Sequence, residues 1–523
     1  MRKFSSYGPV DKDLHYYVPR QALVDFACQQ LLGENSTKGG HYITVWAPRQ
    51  RGKTWVMQQV LWRLQQNPRF AVVKINLQSL KDNPHLDEIL AYLTSHLATH
   101  LAISLPIPEN LQHFETLFTA QFLDKPLILI LDEFDALTET AISGIVNVFR
   151  NIYIHRQEKV DYLLHGVALI GVRAVLGIEN QRGSPFNVQR SLHIPNLTEA
   201  EVNAMYRWYE RESGQPVAQA VIDRVFYETQ GQPGLVSWLG ELLTETYNDT
   251  PDQPLSLAHF ERIYAMGLQV LPNNNIINII SKAKQAPYRE VVLKLFRTRQ
   301  KTLFRYDDAR LNFLYLNGVI DWELAADNKY YAKFPCPFVQ KRLFNYFAFE
   351  LFQDSVQLAP RFDETAPAIT ETSLHVKAIL RLCETYLHDN RDWLWRNVPR
   401  RQTDLRPYEA VYHFILYTYL DNLLRGWGGH ILPEFPTGNG KIDLIIHHAG
   451  QLYGIEVKSF STAYAYRQAL QQAAHYGRQL GLTEITLAMF IQAIDEANRN
   501  KYETPYHDDA TGVTVNPVFV VTG

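Results

Sequence analysis

Short runs of apolar and β-branched residues alternate with longer amphipathic segments between His41 and Thr198. The runs lie at residues 42–46, 70–75, 127–131 and 167–171. Near-continuous apolar strands separated by helical stretches are typical of a parallel sheet that helices cover on both faces. The pattern therefore predicts an α/β domain with right-handed crossover connections.

The helical period dominates after Thr198, where the β signal fades. Two helical stretches are predicted at residues 199–210 and 218–246. The second is interrupted by Gly231-Gln-Pro-Gly234, and we expect this region to form a helical lid on the core. Two helices, two strands and a helix follow, at residues 289–297, 307–317, 319–322, 329–333 and 339–351. This order predicts a winged helix.

A segment with two prolines and few large apolar residues, 357–372, marks a linker. Beyond it we predict helices at residues 374–388 and 408–425, a strand pair and a final helix-plus-strand unit. The chain therefore divides into a core with its lid, a winged helix, a linker and a second α/β domain. Their predicted bounds are 1–270, 271–356, 357–372 and 373–523.

Composition narrows the class of protein. With 523 residues, 46% hydrophobic and 20% charged, the chain is a globular protein too long for one core. The formal net charge of −3 gives no global signal for nucleic acid, so any basic surface must be local. The three cysteines form no CxxC pair, and no apolar run approaches the ~20 residues of a membrane span. No secretory signal is recognisable, and we expect a soluble, cytoplasmic protein without a membrane partner.

A phosphate-binding loop is indicated between the first predicted strand and the next helix. Ala47-Pro-Arg-Gln-Arg51-Gly52-Lys53-Thr54 fits G-x-x-x-x-G-K-[ST], with alanine at the first glycine. Backbone N–H groups of such a loop wrap a phosphate at a helix N-terminus, where the dipole favours an anion. Gly52 allows close approach, Lys53 reaches the β/γ oxygens, and the Thr54 hydroxyl binds Mg²⁺. An ordinary strand–turn–helix corner is the alternative.

The apolar strand at residues 127–131 ends in two carboxylates, Asp132 and Glu133. Asp132 is predicted to hold the Mg²⁺ shell and Glu133 to polarise the attacking water. A lone strand of this kind could simply run into a solvated loop. Because it follows the GKT loop in the expected order, an ATP and Mg²⁺ site is the better interpretation.

Across roughly residues 1–350 the sequence resembles the AAA-like, STAND-type ATPases. The shared motifs are His15-Tyr-Tyr-Val-Pro-Arg20, APRQRGKT, LDEFDAL, LIGVR ending at Arg173, SPFN, and Gly231-Gln-Pro233. The resemblance implies that Arg173 senses the γ-phosphate, Pro233 approaches the nucleotide and Arg20 borders the base. It also implies assembly into homo-oligomers. A surface arginine at a strand end is the alternative for Arg173.

Two acids and a lysine near the C-terminus are predicted to share one face of a β-hairpin. Strand-like runs flank Ala449-Gly450, a natural two-residue turn. With that turn, opposed residues have numbers of constant sum, so Asp443 faces Glu456, and Lys458 shares the face of Glu456. Two acids in an apolar hairpin repel each other and resist desolvation unless a cation lies between them. A divalent metal site is therefore favoured, with an exposed Glu456–Lys458 pair as the alternative.

This D-x(n)-E-x-K pattern resembles that of the PD-(D/E)xK nuclease superfamily, from about Ser373 onward. The resemblance implies a restriction-endonuclease-like α/β domain in which Asp443, Glu456 and the Val457 carbonyl bind Mg²⁺. Lys458 would orient or activate the water that attacks a phosphodiester.

Two further residues extend this resemblance. Glu409, in the helix before the hairpin, matches a further metal-binding acid of the family, although a helix glutamate can simply be solvated. Gln472 belongs to a Q-x-x-x-Y element on the following helix, where the spacing places Tyr476 on the same helix face. His447 and His448 adjoin the turn, and we expect them to be exposed to solvent.

Basic residues are concentrated in two of the predicted modules. They are Lys282, Lys284, Arg289, Lys294, Arg297, Arg299, Lys301, Arg305 and Arg310 in the winged helix, and Arg391, Arg396, Arg400, Arg401 and Arg406 around Glu409. Contact with a phosphate backbone requires such local patches, so we expect DNA as a partner, with RNA not excluded. A solvated helix face is the alternative, and a winged helix can also serve only as a protein contact.

The combined prediction is an ATP-driven or ATP-gated, Mg²⁺-dependent nuclease that hydrolyses DNA, with a protein partner or another trigger. A role in bacterial defence against foreign DNA is implied by the architecture alone. Two other functions stay open: a STAND-type signalling switch that binds DNA without cutting, and a mobile-element or replication ATPase that loads partner proteins on DNA. Intact Asp443, Glu456 and Lys458 argue against the first, and the second predicts DNA-stimulated ATPase activity without cleavage.

Overall fold

The computed structural model describes residues 2–35, 37–156, 161–171, 189–297, 302–325, 327–351, 368–395, 407, 409–425, 427, 430–433 and 444–523. The chain divides into two compact units. The first is Met1–Asn275 with Asn312–Gly318, and the second is Ile276–Leu311 with Val319–Gly523. The four-part division predicted from the sequence is finer and stays a prediction. No helix in the described part of the chain is long and apolar enough to cross a membrane.

The first unit contains a five-stranded parallel sheet. Its strands are β1 (Tyr42–Trp46), β2 (Ala71–Asn76), β3 (Leu127–Asp132), β4 (Leu164–Gly171) and β5 (Gln189–His193). Their order across the sheet is β2-β3-β4-β1-β5, and every neighbouring pair is parallel. This confirms the predicted α/β class and the four predicted strands. The edge strand β5 was not predicted, because its sequence QRSLH has no apolar run.

Helices surround this sheet and continue beyond it. They are α1 (Gln21–Leu32), α2 (Lys53–Gln65), α3 (Leu86–Leu101), α4 (Leu111–Thr116), α5 (Glu139–His155), α6 (Glu199–Ser213), α7 (Gln219–Thr229), α8 (Pro233–Glu241), α9 (Leu257–Gln269) and α10 (Asn274–Ala283). Short 3-10 turns occupy Gln78–Leu80 and Phe134–Ala136, and a π-helix occupies Leu242–Thr246.

Strand β3 shows why the sheet is covered on both faces. All six of its residues are buried. Leu127, Leu129 and Leu131 pack in one core with residues of α3 and α5, whereas Ile128 and Ile130 pack in a second core with residues of α1 and α2. Because side chains alternate between the two faces of a strand, a continuous apolar sequence needs helices on both sides.

Helices α6 to α9 occupy the region predicted to form the lid, and we call them the lid. Thr198 and Glu201 form a reciprocal capping box that starts α6. Helix α7 ends where Gln230 and Gly231 adopt left-handed backbone angles, and Pro233 is the first residue of α8. The predicted break at residues 231–234 is therefore confirmed.

The remaining elements carry the chain to its end. They are α11 (Tyr288–Arg297), α12 (Ala309–Leu316), β6 (Asp321–Leu324), β7 (Tyr330–Lys333), α13 (Pro337–Leu351), α14 (Val376–Asp389), α15 (Arg391–Leu394), α16 (Glu409–Arg425), β8 (His430–Pro433), β9 (Leu444–His448), β10 (Gln451–Ser459), α17 (Ala463–Gln479), β11 (Glu484–Ile491), α18 (Glu496–Tyr502), β12 (Tyr506–Asp508) and β13 (Val513–Val521). The elements from α11 to α13 follow the order expected of the winged helix, with β6 antiparallel to β7.

The second unit contains a six-stranded mixed sheet of order β12-β13-β11-β10-β9-β8. Strands β8, β9 and β10 form an antiparallel meander, and β11 then pairs parallel to β10 after the crossover helix α17. The hairpin turn is at Ala449 and Gly450, both with positive φ. The described pairs, from Gln451 with His448 to Ile455 with Leu444, keep the constant sum of residue numbers.

The expectation that both histidines beside the turn are exposed is wrong for His448. Its side chain is buried, and Nε2 lies 2.6 Å from the Thr370 carbonyl oxygen. This contact is distant in sequence, which explains why position next to a turn was misleading.

Candidate functional site

The loop between β1 and α2 has the backbone of a phosphate cradle. Gln50 and Gly52 have left-handed φ values of 57° and 84°, whereas Ala47 does not have a positive φ. Alanine at the first glycine position is therefore accommodated without backbone strain. No described atom lies within 4 Å of the place where a Gly52 side chain would begin, so the space in front of the loop is open to a ligand.

Lys53 begins α2 and points back into the loop. Its side chain is buried, with 9% of the residue exposed, and Nζ donates to the carbonyl oxygens of Ala47 at 2.9 Å and Pro48 at 3.3 Å. Burial lowers the pKa of the Lys53 ammonium, while the nearby carboxylates of Glu133 and Asp135 act in the opposite direction. The Lys53 ammonium is therefore hydrogen-bonded to two carbonyl oxygens of the loop, and phosphate oxygens could replace them.

Thr54 and Asp132 meet in front of the sheet. The Thr54 hydroxyl donates to Asp132 Oδ1 at 3.3 Å, and the Glu133 N–H donates to the same oxygen at 3.1 Å. The other oxygen, Oδ2, lies 3.2 Å from Lys74 Nζ on β2. A hydroxyl beside a carboxylate is an all-oxygen donor set of the kind that Mg²⁺ prefers, so these two residues fit the predicted metal.

Glu133 follows Asp132 in a left-handed conformation, with a φ of 54°. Burial raises its pKa above the ordinary value for glutamate, and the adjacent Asp135 carboxylate adds to the shift. Asp135 lies against the end of β4, where its Oδ1 is 2.8 Å from the position of a Cβ built on Gly171. The end of β3 therefore gathers three carboxylates around Lys53, one more than the sequence analysis identified.

The lid touches the loop directly. The Gly234 N–H donates to the Gln50 carbonyl oxygen at 3.2 Å, and the Gln232 side chain donates to the Arg49 carbonyl oxygen at 3.5 Å. These residues flank Pro233, which the sequence placed near the nucleotide. A ligand that changes the backbone of the loop therefore also affects its hydrogen bonds to the lid.

Arg20 connects the N-terminal segment to the start of the lid. Its Nε atom lies 3.3 Å from Glu201 Oε1, and Nη1 donates to the Pro195 carbonyl oxygen at 3.2 Å. Burial lowers the pKa of its guanidinium, and Glu201 opposes that shift. Arg51, within the loop, is also buried. The predicted proximity of Arg20 to the base stays a prediction.

The hairpin of the second unit contains a buried ion pair. Glu456 is 1% and Lys458 is 6% exposed, and their side chains form a salt bridge within β10. Lys458 Nζ also lies 3.4 Å from the Val457 carbonyl oxygen. The exposure expected in the alternative is therefore wrong for Glu456 and Lys458, whereas the Glu456–Lys458 pair that it named is present and is held away from bulk water.

Strand register places α17 on the same side of the sheet as this pair. Glu456 pairs with Leu487 of β11, two residues from Ile485 and on the same face. Ile485 lies within 3.5 Å of a Cβ built on Gly477 of α17. On that helix Gln472 donates a hydrogen bond to the Tyr476 hydroxyl, which confirms the predicted shared helix face.

Other predicted site residues are only partly described. Asp443, Arg173 and the motif at residues 184–187 lie outside the described residues. Glu409 is the first residue of α16, whose Tyr412 stacks on Phe490 on the sheet face opposite to Glu456. Within the described ranges no group of three or more His, Cys, Asp or Glu side chains is arranged to hold a metal. The nuclease metal set therefore stays a prediction.

The sequence did not point to Lys74, which contacts Asp132 in this candidate site. Its signal was present, because a lysine interrupts the otherwise apolar strand Ala71-Val-Val-Lys74-Ile75 beside the strand that ends in Asp132. Charged residues are rarely buried unless they have a partner.

A protein-family comparison decides what the first unit is. A family described as the AAA-like domain matches residues 5–269, just over half of the chain. The chain belongs to the AAA-like domain family. The match includes the loop, the acidic end of β3 and the lid, so residues 5–269 form an AAA-like P-loop ATPase domain.

Several solved structures are similar to this chain over more than half of its length. The Walker-type ATPase of Pyrococcus abyssi is 14% identical over 65% of this chain and 99% of its own, with a TM-score of 0.44. The Aeropyrum pernix Orc1 protein in complex with DNA is 14% identical over 63% and 93%, at 0.34. The Thermotoga maritima RuvB Holliday junction branch migration motor is 11% identical over 61% and 94%, at 0.34. Similarity at these TM-scores assigns no function. No curated protein matches the chain.

Proposed function

We propose that the chain is an ATP-gated, Mg²⁺-dependent nuclease that cuts DNA, acting as a homo-oligomer in defence against foreign DNA. The AAA-like domain binds and hydrolyses ATP, and the second unit hydrolyses phosphodiester bonds. The observation that carries the nuclease half is the buried Glu456–Lys458 pair, because burial of an ion pair has a desolvation cost and buried charged pairs are concentrated at functional sites.

The nucleotide half rests on the loop. Its N–H groups and Lys53 bind the β- and γ-phosphates, Lys53 exchanging the carbonyl oxygens of Ala47 and Pro48 for phosphate oxygens. Thr54 and Asp132 hold Mg²⁺, which neutralises phosphate charge. Glu133 polarises the attacking water, with Arg173 as the sensor of the γ-phosphate.

The nuclease half uses the hairpin and the helix after it. Glu456, the Val457 carbonyl and the predicted partner Asp443 would hold Mg²⁺, whereas Glu409 begins a helix that packs on the opposite sheet face. The metal supplies Lewis acidity at the scissile phosphate. Lys458 orients or activates the attacking water, and Gln472 lies on the helix that covers the same sheet face.

ATP gating is supported by the segment Asn312–Gly318, which belongs to the first unit while the chain on either side of it belongs to the second. Tyr315 packs edge-on against Trp46 at the end of β1, with ring centroids 6.1 Å apart. Gly318 lies beside Pro48 of the loop. A change in the loop when Lys53 turns to phosphate therefore reaches residues that are continuous with the second unit.

A STAND-type switch that binds DNA without cutting is the second candidate. One feature of the ion pair favours it: the ammonium bonded to Glu456 occupies a carboxylate oxygen that would otherwise bind the metal. The two candidates differ in one property, the ability to break a phosphodiester bond.

The test incubates plasmid and linear DNA with Mg²⁺ and ATP, comparing the wild type with Glu456→Gln. We expect cleavage to fall at least about 100-fold while DNA binding is retained, because the variant keeps the side-chain size but loses a metal ligand. Glu484→Gln, an exposed acid at the start of β11, is the matched control and should cut like the wild type. Binding of DNA with no cleavage by any wild-type preparation would favour the switch.

A further inference from the structure

Lys74 projects from β2 into the nucleotide site of the AAA-like domain. Its side chain is only 14% exposed, and its Nζ atom lies 3.2 Å from Asp132 Oδ2 and 3.3 Å from Gln58 Oε1. Gln58 is one helical turn beyond Thr54 on α2. The lysine is therefore fixed between the strand that supplies the metal-binding acid and the helix that supplies the metal-binding hydroxyl.

The two oxygens of Asp132 are divided between two kinds of donor. Oδ1 accepts from the Thr54 hydroxyl and the Glu133 N–H, whereas Oδ2 faces the Lys74 ammonium. Asp132 is 1% exposed, so water does not screen its charge. The Lys74 ammonium contacts this carboxylate and, together with the nearby Lys53 ammonium, compensates its charge.

We propose that Lys74 is a positioning residue that makes metal binding at Asp132 depend on the nucleotide, an inference that rests on the proposed role of Asp132 as a Mg²⁺ ligand. The fixed ammonium lowers the negative potential at the Thr54–Asp132 pair, so a free divalent cation binds weakly there. The phosphates of ATP or ADP add the negative charge that the site lacks. Metal and nucleotide therefore bind together, and the Lys74 contact holds the Asp132 carboxylate in place between turnovers.

The experiment measures Mn²⁺ binding to the full chain by electron paramagnetic resonance, with and without ADP. All variants carry Glu456→Gln, which removes the proposed nuclease metal site from the measurement. We expect Lys74→Met to bind Mn²⁺ without nucleotide at least about tenfold more tightly than the parent, because a buried positive charge near the metal is lost. Lys74→Arg keeps the charge and should match the parent, as should Lys38→Met, which removes an exposed lysine.

Two further variants separate the possible failures. Lys74→Met combined with Asp132→Asn should lose the gain in affinity, since the effect acts through that carboxylate. If Asp132→Asn alone leaves Mn²⁺ binding with ADP unchanged, Asp132 is not a metal ligand and the proposed function fails at this residue. If Asp132→Asn weakens that binding but folded Lys74→Met equals its parent, the role of Lys74 is overturned.

A second neutral substitution, Lys74→Gln, serves as the control for a folding defect. Its side-chain amide retains a hydrogen-bond donor toward Asp132. We expect it to fold and to share the tighter Mn²⁺ binding of Lys74→Met. If both neutral variants fail to fold while Lys74→Arg folds, the lysine is a structural ion-pair partner and the proposal is overturned.

Discussion

At the scale of single residues, His165 on β4 is a buried group with a predictable pH response. Its ring lies against Phe70, and Nε2 donates to the Leu32 carbonyl oxygen at 3.1 Å. Burial lowers the pKa of His165 from 6.5 to about 4. Between pH 6.5 and pH 4, His165 is therefore protonated in the unfolded chain and neutral in the folded chain. Above pH 6.5 this histidine is neutral in both states and does not lower the free energy of unfolding. As the pH falls from 6.5 toward 4, the free energy of unfolding decreases.

We expect this histidine to account for about 3 kcal/mol of the fall in unfolding free energy between pH 7 and pH 4. Urea unfolding of the wild type and His165→Gln at several pH values measures it. The variant should show the shallower pH dependence, whereas His100→Gln, at an exposed site on α3, should follow the wild type. Equal slopes for His165→Gln and the wild type would contradict a neutral, buried ring.

Sequence reasoning at this scale succeeded where chemistry is local. Gly52, Lys53 and Thr54 are consecutive, and their motif identifies them without knowledge of the fold. The Lys74–Asp132 contact joins different strands, so it depends on a strand order that the sequence did not reveal. Arg20 was placed near the base by resemblance alone, and its contacts to Glu201 could not be anticipated.

At the scale of elements, the turn between α7 and α8 depends on the absence of a side chain at Gly231. Its φ is 69°, and a Cβ there would lie 1.9 Å from the Leu197 carbonyl oxygen. We expect Gly231→Ala to lower the unfolding free energy by ~3 kcal/mol and to weaken nucleotide binding, because α8 touches the loop through Gly234.

Denaturant unfolding and the binding of a fluorescent ATP analogue measure these two effects. The matched control is Gly214→Ala, which has a similar φ of 76° but no described atom within 4 Å of the added carbon. It should cost only about 1 kcal/mol and leave nucleotide affinity unchanged. If both substitutions have the same effect, the steric contact with Leu197 is not the cause.

The hairpin turn of the second unit offers a stabilising substitution. Ala449 has a φ of 51° and Gly450 a φ of 76°, which is the conformation for which asparagine followed by glycine is preferred. Ala449→Asn should raise the unfolding free energy by about 0.5–1 kcal/mol, since asparagine tolerates this conformation better than alanine. Thermal unfolding measures the change, and a lower stability of Ala449→Asn would contradict the left-handed conformation of residue 449.

Prediction of elements was best where the hydrophobic period was strong. The apolar strands β1 to β4 and the hairpin register followed from alternation and turn chemistry. Strand β5 was missed because an edge strand with a polar sequence carries little periodic signal. The burial of His448 was missed because its partner, Thr370, is distant in the sequence.

At the scale of the whole molecule, the chain combines an AAA-like domain with a second unit for which we propose nuclease activity. The AAA-like domain is assigned over residues 5–269, and its loop region contacts both the lid and the acidic end of β3. The nuclease half depends on Glu456, Lys458 and the fold of their hairpin. The coupling that we propose between ATP and DNA cleavage rests on the segment Asn312–Gly318. The sequence could suggest the order of the modules. It could not show that Asn312–Gly318 belongs to the first unit while the chain on either side belongs to the second.

The most direct test of the account measures ATP hydrolysis and plasmid cleavage in the same Mg²⁺ reactions, with ATP present or omitted. The proteins are the wild type, Lys53→Met and Glu456→Gln. We expect the wild type to cut only with ATP, Glu456→Gln to hydrolyse ATP without cutting, and Lys53→Met to do neither. Cleavage by Glu456→Gln at the wild-type rate, or cleavage by Lys53→Met regardless of ATP, would contradict the account.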